Sequence, residues 1–314
     1  MTHRKQLLQG RDSGTILSLL VLCSVLSAVS PHFLTLPNLV NVAQQSTIIA
    51  IIAAGMTFVI ISGGIDLSVG SLVALSGLVA ADVLQRGVSV PLAVLLALLT
   101  GFAAGIVNGV LVARAHLPPF IATLGTMSVA RGGALMYVGG GSISGFGSDF
   151  RFLAHDAIVG VPVPVVMMVL VFAVGHVVLT KTRLGRYAYA IGGNETAAVL
   201  AGINVQMYKT LIYGICGMLS GLAAVVLTAR LNSAQSVAGT MYELDAIAAT
   251  VIGGTSLLGG RGTMVGTLIG ALIMGVLRNG LNLLDVPSYV QQVVIGSVII
   301  AAVYIDLSLK RRAS

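Results

Sequence analysis

Charge is what this sequence has least of. Only 9% of its 314 residues are charged, 56% are hydrophobic and the mean hydropathy is +1.01. A soluble domain carries about 25% charged residues, so this chain lacks the means to cover a water-facing surface. A surface that meets lipid is the natural reading. Tryptophan is absent, which argues against a tight sugar site built on indole stacking. The two cysteines, Cys23 and Cys216, lie inside apolar runs and predict neither a disulfide nor a metal site. No G-x-x-x-x-G-K-[ST] phosphate loop occurs, so the chain does not hydrolyse ATP by that chemistry. H-E-x-x-H, zinc-spaced Cys/His clusters and G-x-S-x-G are also missing, which leaves no recognisable catalytic set. The pairs Gly192-Gly193 and Gly259-Gly260 stand outside any nucleotide-binding context.

What is present is a series of charge-free runs: Gly87–Ala113, Ala115–Ala130, Ala157–Thr180, Thr210–Ala229, Gly262–Leu277 and Val286–Ile305. Each is close to the roughly 20 residues that cross a bilayer core as a helix. One such run is compatible with a buried core helix; six in one chain are not. Barrel strands alternate apolar and polar residues and are excluded. The predicted fold is all-α and polytopic, with about ten spans near 14–33, 41–62, 66–84, 91–113, 118–138, 160–180, 210–230, 243–259, 263–281 and 287–306. The prolines fall at or near span ends, where they interrupt no helix. The 39 glycines suit helices that pack closely in a membrane.

The distribution of positive charge predicts both termini inside. Of the 17 Lys and Arg residues, Arg4, Lys5, Arg11, Arg114, Lys181, Arg183, Arg186, Lys209, Arg261, Lys310, Arg311 and Arg312 then lie inside. Arg86, Arg151, Arg230 and Arg278 lie outside, and Arg131 falls within a span. This placement also explains the pI of about 9.7 without nucleic acid. The basic N-terminus followed by an apolar run ending in SAVS fits a cleaved signal peptide. The run is long enough to span, so an uncleaved first helix is the preferred reading.

Two spans look broken. Gly63-Gly64 precede the third, and the eighth ends in GGTSLLGGRG, Gly253 to Gly262. Glycine-interrupted segments are the usual sign of helices lining a transport path. The first break leads into Asp66, the one charged residue between Ser13 and Ala81. Its carboxylate is placed to cap a helix start, accepting from amides near Ser68 and Val69. A carboxylate inside a membrane is costly and usually functional, so Asp66, Ser68 and Ser71 are candidates for the pathway or gate. A plain cap is the alternative, and no second carboxylate in a neighbouring span supports a proton relay. Arg131 either faces a polar path or snorkels to the outer interface. In the loop Lys181–Lys209, Asn194 is a good N-cap, Glu195 suits a first turn and Gly202 suits the position after a helix end. The loop therefore predicts about two helical turns over Glu195–Ala201, with Ala198, Leu200 and Ala201 available for contact.

Three stretches carry a family resemblance. GIDLSVGS (Gly64–Ser71), TRLGRYAYAIGGNETAAVLAGINV (Thr182–Val205) and AGTMYELDAIAATVIGGTSLLGGRGTMVGTLIGALIMG (Ala238–Gly275) resemble the permease subunit of bacterial ribose-type ABC importers. The resemblance implies one transmembrane domain over residues 1–314, in the bacterial inner membrane, working as two copies. It implies a cytoplasmic ATPase that uses ATP and Mg, a periplasmic sugar-binding protein, and no cofactor bound by this chain. It makes the chain a transporter subunit, not an enzyme. Gly193–Ile203 resembles the segment that contacts the ATPase, with Gly193, Asn194, Glu195, Ala197, Ala198 and Gly202 as its candidates. The topology would turn Ala238–Asp245 outward, making Tyr242, Glu243 and Asp245 candidates for periplasmic access or docking. Ribose is the first choice of cargo; another pentose, a hexose or a furanose signal is the alternative. An ion-coupled secondary transporter and a membrane enzyme are the rival classes.

Overall fold

The computed structural model describes the backbone of residues 2–311 and the side chains of residues 14–301 and Tyr304. The charges of His3, Arg4, Lys5 and Arg11 and of the tail Lys310–Arg312 therefore lie outside the described side chains. The chain is helical nearly throughout: α1 (Thr2–Val29), α2 (Leu36–Ile61), α3 (Val69–Gln85), α4 (Val90–Ala113), α5 (Pro119–Tyr137), α6 (Ser148–His155), α7 (Val163–Lys181), α8 (Arg183–Gly193), α9 (Glu195–Leu200), α10 (Val205–Leu231), α11 (Tyr242–Ile252), α12 (Met264–Leu283) and α13 (Ser288–Arg311). Two small antiparallel ribbons join β1 (Ser142–Ser144) to β4 (Ser233–Gln235) and β2 (Ala157–Ile158) to β3 (Val161–Pro162).

A helix stands at each of the ten expected places, and α6, α8 and α9 are short additions. Pro37, Pro91, Pro119 and Pro164 sit in first turns, where a missing N–H costs nothing. Five helices, α2, α4, α7, α10 and α12, are long and apolar enough to cross a membrane by length and composition. Gly14–Val29, Val69–Gln85 and Ser288–Ala301 are shorter apolar helices. The expected eighth span is not one helix. α11 has 11 residues, or about 16 Å at 1.5 Å per residue, against the ~30 Å of a bilayer core. It stops at Gly253, and Gly254, Gly259 and Gly260 all take positive φ in the loop that follows.

The core is built around α2. From Ala50 to Ile61 its side chains are buried on every face, with no period of 3.6. A helix apolar all round is one surrounded by other helices; α7, α8, α10, α11 and α12 all pack on it. The largest helix–helix contact joins α4 and α10. There a stripe of small residues, Ala97, Gly101, Gly105 and Gly109, faces Thr210, Tyr213, Gly217 and Gly221. A Cβ on Gly101 would overlap the Gly217 carbonyl, and one on Gly105 would overlap that of Tyr213. The backbones touch, which is how membrane helices gain dispersion energy where burial from water gives none.

This packing gives a direct prediction. Gly105→Val forces α4 away from α10 and destabilises the detergent-solubilised protein by more than the ~1–3 kcal/mol usual for overpacking, which lowers its thermal midpoint. Gly132→Val on α5, which meets nothing within 4 Å, leaves the midpoint near that of the wild type. Equal midpoints for the two variants would refute the close α4–α10 approach.

Candidate functional site

The break after α2 is a buried polar knot. Asp66 is fully buried. Its Oδ1 accepts from the Ser68 backbone amide at 2.9 Å and the Ser68 hydroxyl at 2.6 Å. Asn108 Nδ2 on α4 reaches Asp66 Oδ1 at 3.2 Å and Ser68 Oγ at 2.8 Å. Asp66 is therefore not the helix cap that the sequence suggests. It holds an Asx turn, accepting from the residue two places on, and Ser68 is the cap residue before Val69. The Ile65 carbonyl accepts from Thr123 Oγ1 on α5 and from Tyr213 OH on α10, each at 3.4 Å. Three helices thus gather on one irregular turn. Among the described residues, Asp66 Oδ2 and Asn108 Oδ1 have no hydrogen-bond partner.

Ser71 is buried a turn further along α3. Beside it, Gly70 sits against the chain leading into α11: a Cβ there would overlap the Gly239 carbonyl and Glu243 Oε2. The two broken segments of the sequence therefore touch inside the molecule. Arg131 has backbone partners. Its half-buried guanidinium donates from Nη1 to the carbonyls of Ser236 at 2.7 Å and Ala238 at 2.8 Å. It ties α5 to the link between β4 and α11, away from the Asp66 knot.

Tyr242, Glu243 and Asp245 do not form an exposed docking face. Asp245 is 2% exposed and its Oδ2 pairs with Arg278 Nη2 at 2.5 Å; Tyr242 and Glu243 are half-buried. Tyr242 and Asp245 instead wall a cavity of ≈ 290 Å³ between α2, α10, α11 and α12. Gln45, Ser46, Arg230 and Arg278 supply its other polar groups, above a floor of Ile48, Ile49, Leu227 and Met274. Hydroxyl-rich ligands suit such a mixture, since a few placed polar groups over an apolar wall fix orientation.

At the opposite end, α9 stands where the sequence places it. Asn194 Oδ1 accepts from the Ala197 amide at 2.9 Å, Gly202 takes φ +78°, and Glu195 pairs with Lys209 at 2.6 Å. Of the three residues expected to be free for contact, Leu200 and Ala201 are exposed and Ala198 is not. Ala198 is buried against Ile191 and Val205, while Val199 and Leu200 are exposed. Gly193, Asn194, Glu195 and Ala197 are exposed around them. On α8, the Tyr189 hydroxyl donates to the Gly262 carbonyl at 2.6 Å. Burial pushes that phenol up to about 12, so it keeps its proton, and this bond, at physiological pH.

With this geometry in view, residues 38–303 match the family described as branched-chain amino acid transport system / permease component. The chain belongs to that permease family. It is 51% identical over 94% of its length to the ribose import permease protein RbsC of Escherichia coli (strain K12), covering 93% of that protein. It is 50% identical over 93% of its length to the RbsC of Bacillus subtilis (strain 168), covering 92% of it. The D-allose transport system permease protein AlsC of Escherichia coli (strain K12) is 42% identical over 93% of this chain and 90% of its own. No solved structure matches. The permease is a multi-pass membrane protein and a transport component, not an enzyme.

The knot also shows what the local sequence concealed. Asn108 lies 42 residues from Asp66; its one signal is an amide inside an otherwise apolar run, between Gly105 and Gly109. Asn108→Leu removes the donor shared by Asp66 and Ser68, with an expected loss of about 1–3 kcal/mol. A chemical or thermal melt in detergent measures it. Ser76→Ala, which deletes a buried hydroxyl without a partner among the described residues, is expected to be neutral or stabilising. A melt unchanged by Asn108→Leu would remove the knot from the list of structural supports.

Proposed function

We propose that this permease is the transmembrane subunit of an ATP-driven monosaccharide importer in the bacterial inner membrane, and that its cargo is ribose. The observation that carries the reading is its identity of 51% with a ribose import permease over 94% of this chain, against 42% with an allose permease. In this reading two copies form the pathway, a periplasmic sugar-binding protein delivers the sugar, and a cytoplasmic ATPase supplies the energy. ATP and Mg belong to that ATPase; this chain binds no cofactor.

The proposed topology has ten passes with both termini in the cytoplasm, α11 and its glycine loop together making the eighth. The α9 end, rich in Lys and Arg, then faces the cytoplasm, as the positive-inside rule requires. The cavity of Tyr242, Asp245, Arg230 and Arg278 opens on the periplasmic side, where sugar arrives. Asp66, Ser68 and Ser71 form a hinge between two helices at the pathway, and Arg131 holds the lead-in to α11. Gly193, Asn194, Glu195, Ala197, Ala198 and Gly202 form the coupling segment, with Val199 and Leu200 as the surface it offers.

Labelled ribose uptake into proteoliposomes tests the whole reading. Uptake is expected only when permease, ATPase, sugar-binding protein and ATP are all present. Uptake by the permease alone would refute it in favour of an ion-coupled carrier. Ala198→Pro tests the coupling segment, because proline inside a helix costs about 3 kcal/mol and Ala198 lies past the first turn. It is expected to cut uptake ~10-fold or more while the protein still inserts. Normal uptake by Ala198→Pro would release α9 from that role.

A further inference from the structure

The loop that follows α11 does more than finish a crossing. It begins Thr255-Ser256-Leu257-Leu258 and returns through Gly259, Gly260, Arg261 and Gly262 to the cap of α12. Leu257 is half-buried and packs on the core, whereas its neighbour Leu258 is 71% exposed. Nothing in the loop lets that leucine fold back. The Ser256 amide donates to the Arg261 carbonyl at 3.0 Å and the Gly259 amide to the Ser256 carbonyl at 2.9 Å. The Gly260 amide donates to the Ile61 carbonyl at the end of α2, at 2.8 Å. The Tyr189 hydroxyl holds the Gly262 carbonyl from the side, at 2.6 Å. An apolar knob on so firmly tied a base needs a cover.

Its position says what that cover is. Gly259 and Gly260 lie against the end of α8. A Cβ on Gly259 would meet the Gly192 carbonyl at 2.7 Å and Gly63 Cα at 3.1 Å; one on Gly260 would meet Gly193 Cα at 3.0 Å. Gly193 is the residue before Asn194, the cap of α9. The root of the Leu258 loop and the root of α9 are therefore one junction of backbone on backbone. α9 is bordered by exposed polar groups, Asn194, Glu195 and Thr196, so the junction stands on the water side of the membrane. Around it Lys181, Arg183, Arg186 and Arg261 are exposed, while Glu195 is paired with Lys209. The face is thus basic, with three apolar knobs: Val199, Leu200 and Leu258.

We infer that the Leu258 loop is a second docking element for the cytoplasmic ATPase, set beside α9 with Leu258 as its apolar contact. This rests on the permease reading above and extends it to a surface the coupling segment does not include. The loop is continuous with α9 at the glycine junction, so a partner seated on α9 lies beside it. It also has a direct line inward. The Gly260–Ile61 hydrogen bond joins it to the end of α2, five residues before Asp66. A push on this loop acts on the broken segment without passing through α9.

The test compares Leu258→Asp with Leu258→Met and Leu200→Asp in the purified permease, measuring ATPase affinity by titration in nanodiscs. Leu258→Asp is expected to weaken binding ~10-fold or more, from lost burial plus the cost of bringing a charge into an apolar contact. Leu258→Met is expected to bind within about twofold of wild type, since it conserves volume and character. Wild-type affinity in Leu258→Asp, with binding lost in Leu200→Asp, would overturn the second docking element and leave the permease reading intact. Wild-type affinity in both would overturn the α9 coupling role as well. Should Leu258→Asp fail to insert, Leu258→Cys in a Cys23→Ser background gives a second readout, maleimide labelling in inside-out vesicles. ATPase is expected to protect that thiol; labelling unchanged by ATPase would mean that the ATPase does not cover Leu258, and would overturn the proposal.

Discussion

The constraint on which the rest depends is that α2 has no free face. Its buried stretch from Ala50 to Ile61 is surrounded by helices rather than lipid or water. A helix so enclosed satisfies its own backbone internally and asks only for shape. The surrounding helices supply that shape through small residues. Gly55 sits against Cys216 of α10, and Gly275 of α12 against Ser46. Thr57 and Thr267 share a hydrogen bond at 2.7 Å between the same pair of helices, α2 and α12. Close approach and a few buried hydroxyl contacts are the available currencies where apolar burial is the same in lipid as in protein.

The end of α2 is where that order stops, and the difficulty moves to the backbone. A helix that ends inside a membrane protein leaves carbonyls without partners, and each needs a donor. Here the donors come from several directions. The Gly260 amide takes the Ile61 carbonyl, and the Thr123 and Tyr213 hydroxyls reach the Ile65 carbonyl. Gly192 has to be glycine because a Cβ would overlap the Ile61 carbonyl. Gly63, with φ +81°, turns the chain there at no steric cost. The three glycine pairs Gly63-Gly64, Gly192-Gly193 and Gly259-Gly260 look unrelated along the chain, yet they are parts of one joint.

How much of this was legible in the sequence follows from what each rule can see. Hydropathy sees whether twenty residues can face lipid, so it found a helix at each of ten places. It overran at the eighth, because Thr255 to Leu258 is as apolar as the helix before it while the backbone has already broken at the glycines. Capping rules see three or four residues, so they found Asn194 and Gly202 correctly. They also gave Asp66 the Ser68 amide it accepts from, but placed the cap two residues early and could not see Asn108 on another helix. Counting charges put Arg278 outside as a topology marker, and the same count made Asp245 a surface residue. The two form an ion pair in which Asp245 is buried and Arg278 half-buried, and no local rule pairs residues 33 positions apart. One residue of the α9 face was misplaced for a similar reason: Leu200 and Ala201 are exposed as expected, but Ala198 is turned inward by Ile191 and Val205, which lie on either side of the loop helix in sequence.

The joint has a mechanical consequence. α2 leads into it from the cavity side, where Gln45 and Ser46 share a wall with Arg230, Asp245 and Arg278. α11 leads into it from the same wall, through Tyr242 and Asp245, and ends at Gly253. Of the four helices that line the cavity, α2 therefore ends against α8 and the Leu258 loop, and α11 runs directly into that loop. Between them, Gly70 of α3 touches Gly239 and Glu243 at the head of α11. Packed interiors do not deform continuously; they shift between discrete arrangements. A displacement at the joint must therefore carry the ends of α2 and α11 together, and their other ends form the cavity. On the function proposed above, coupling of the two faces would need no chain of special residues: it would follow from two helices, α2 and α11, having one end in each place.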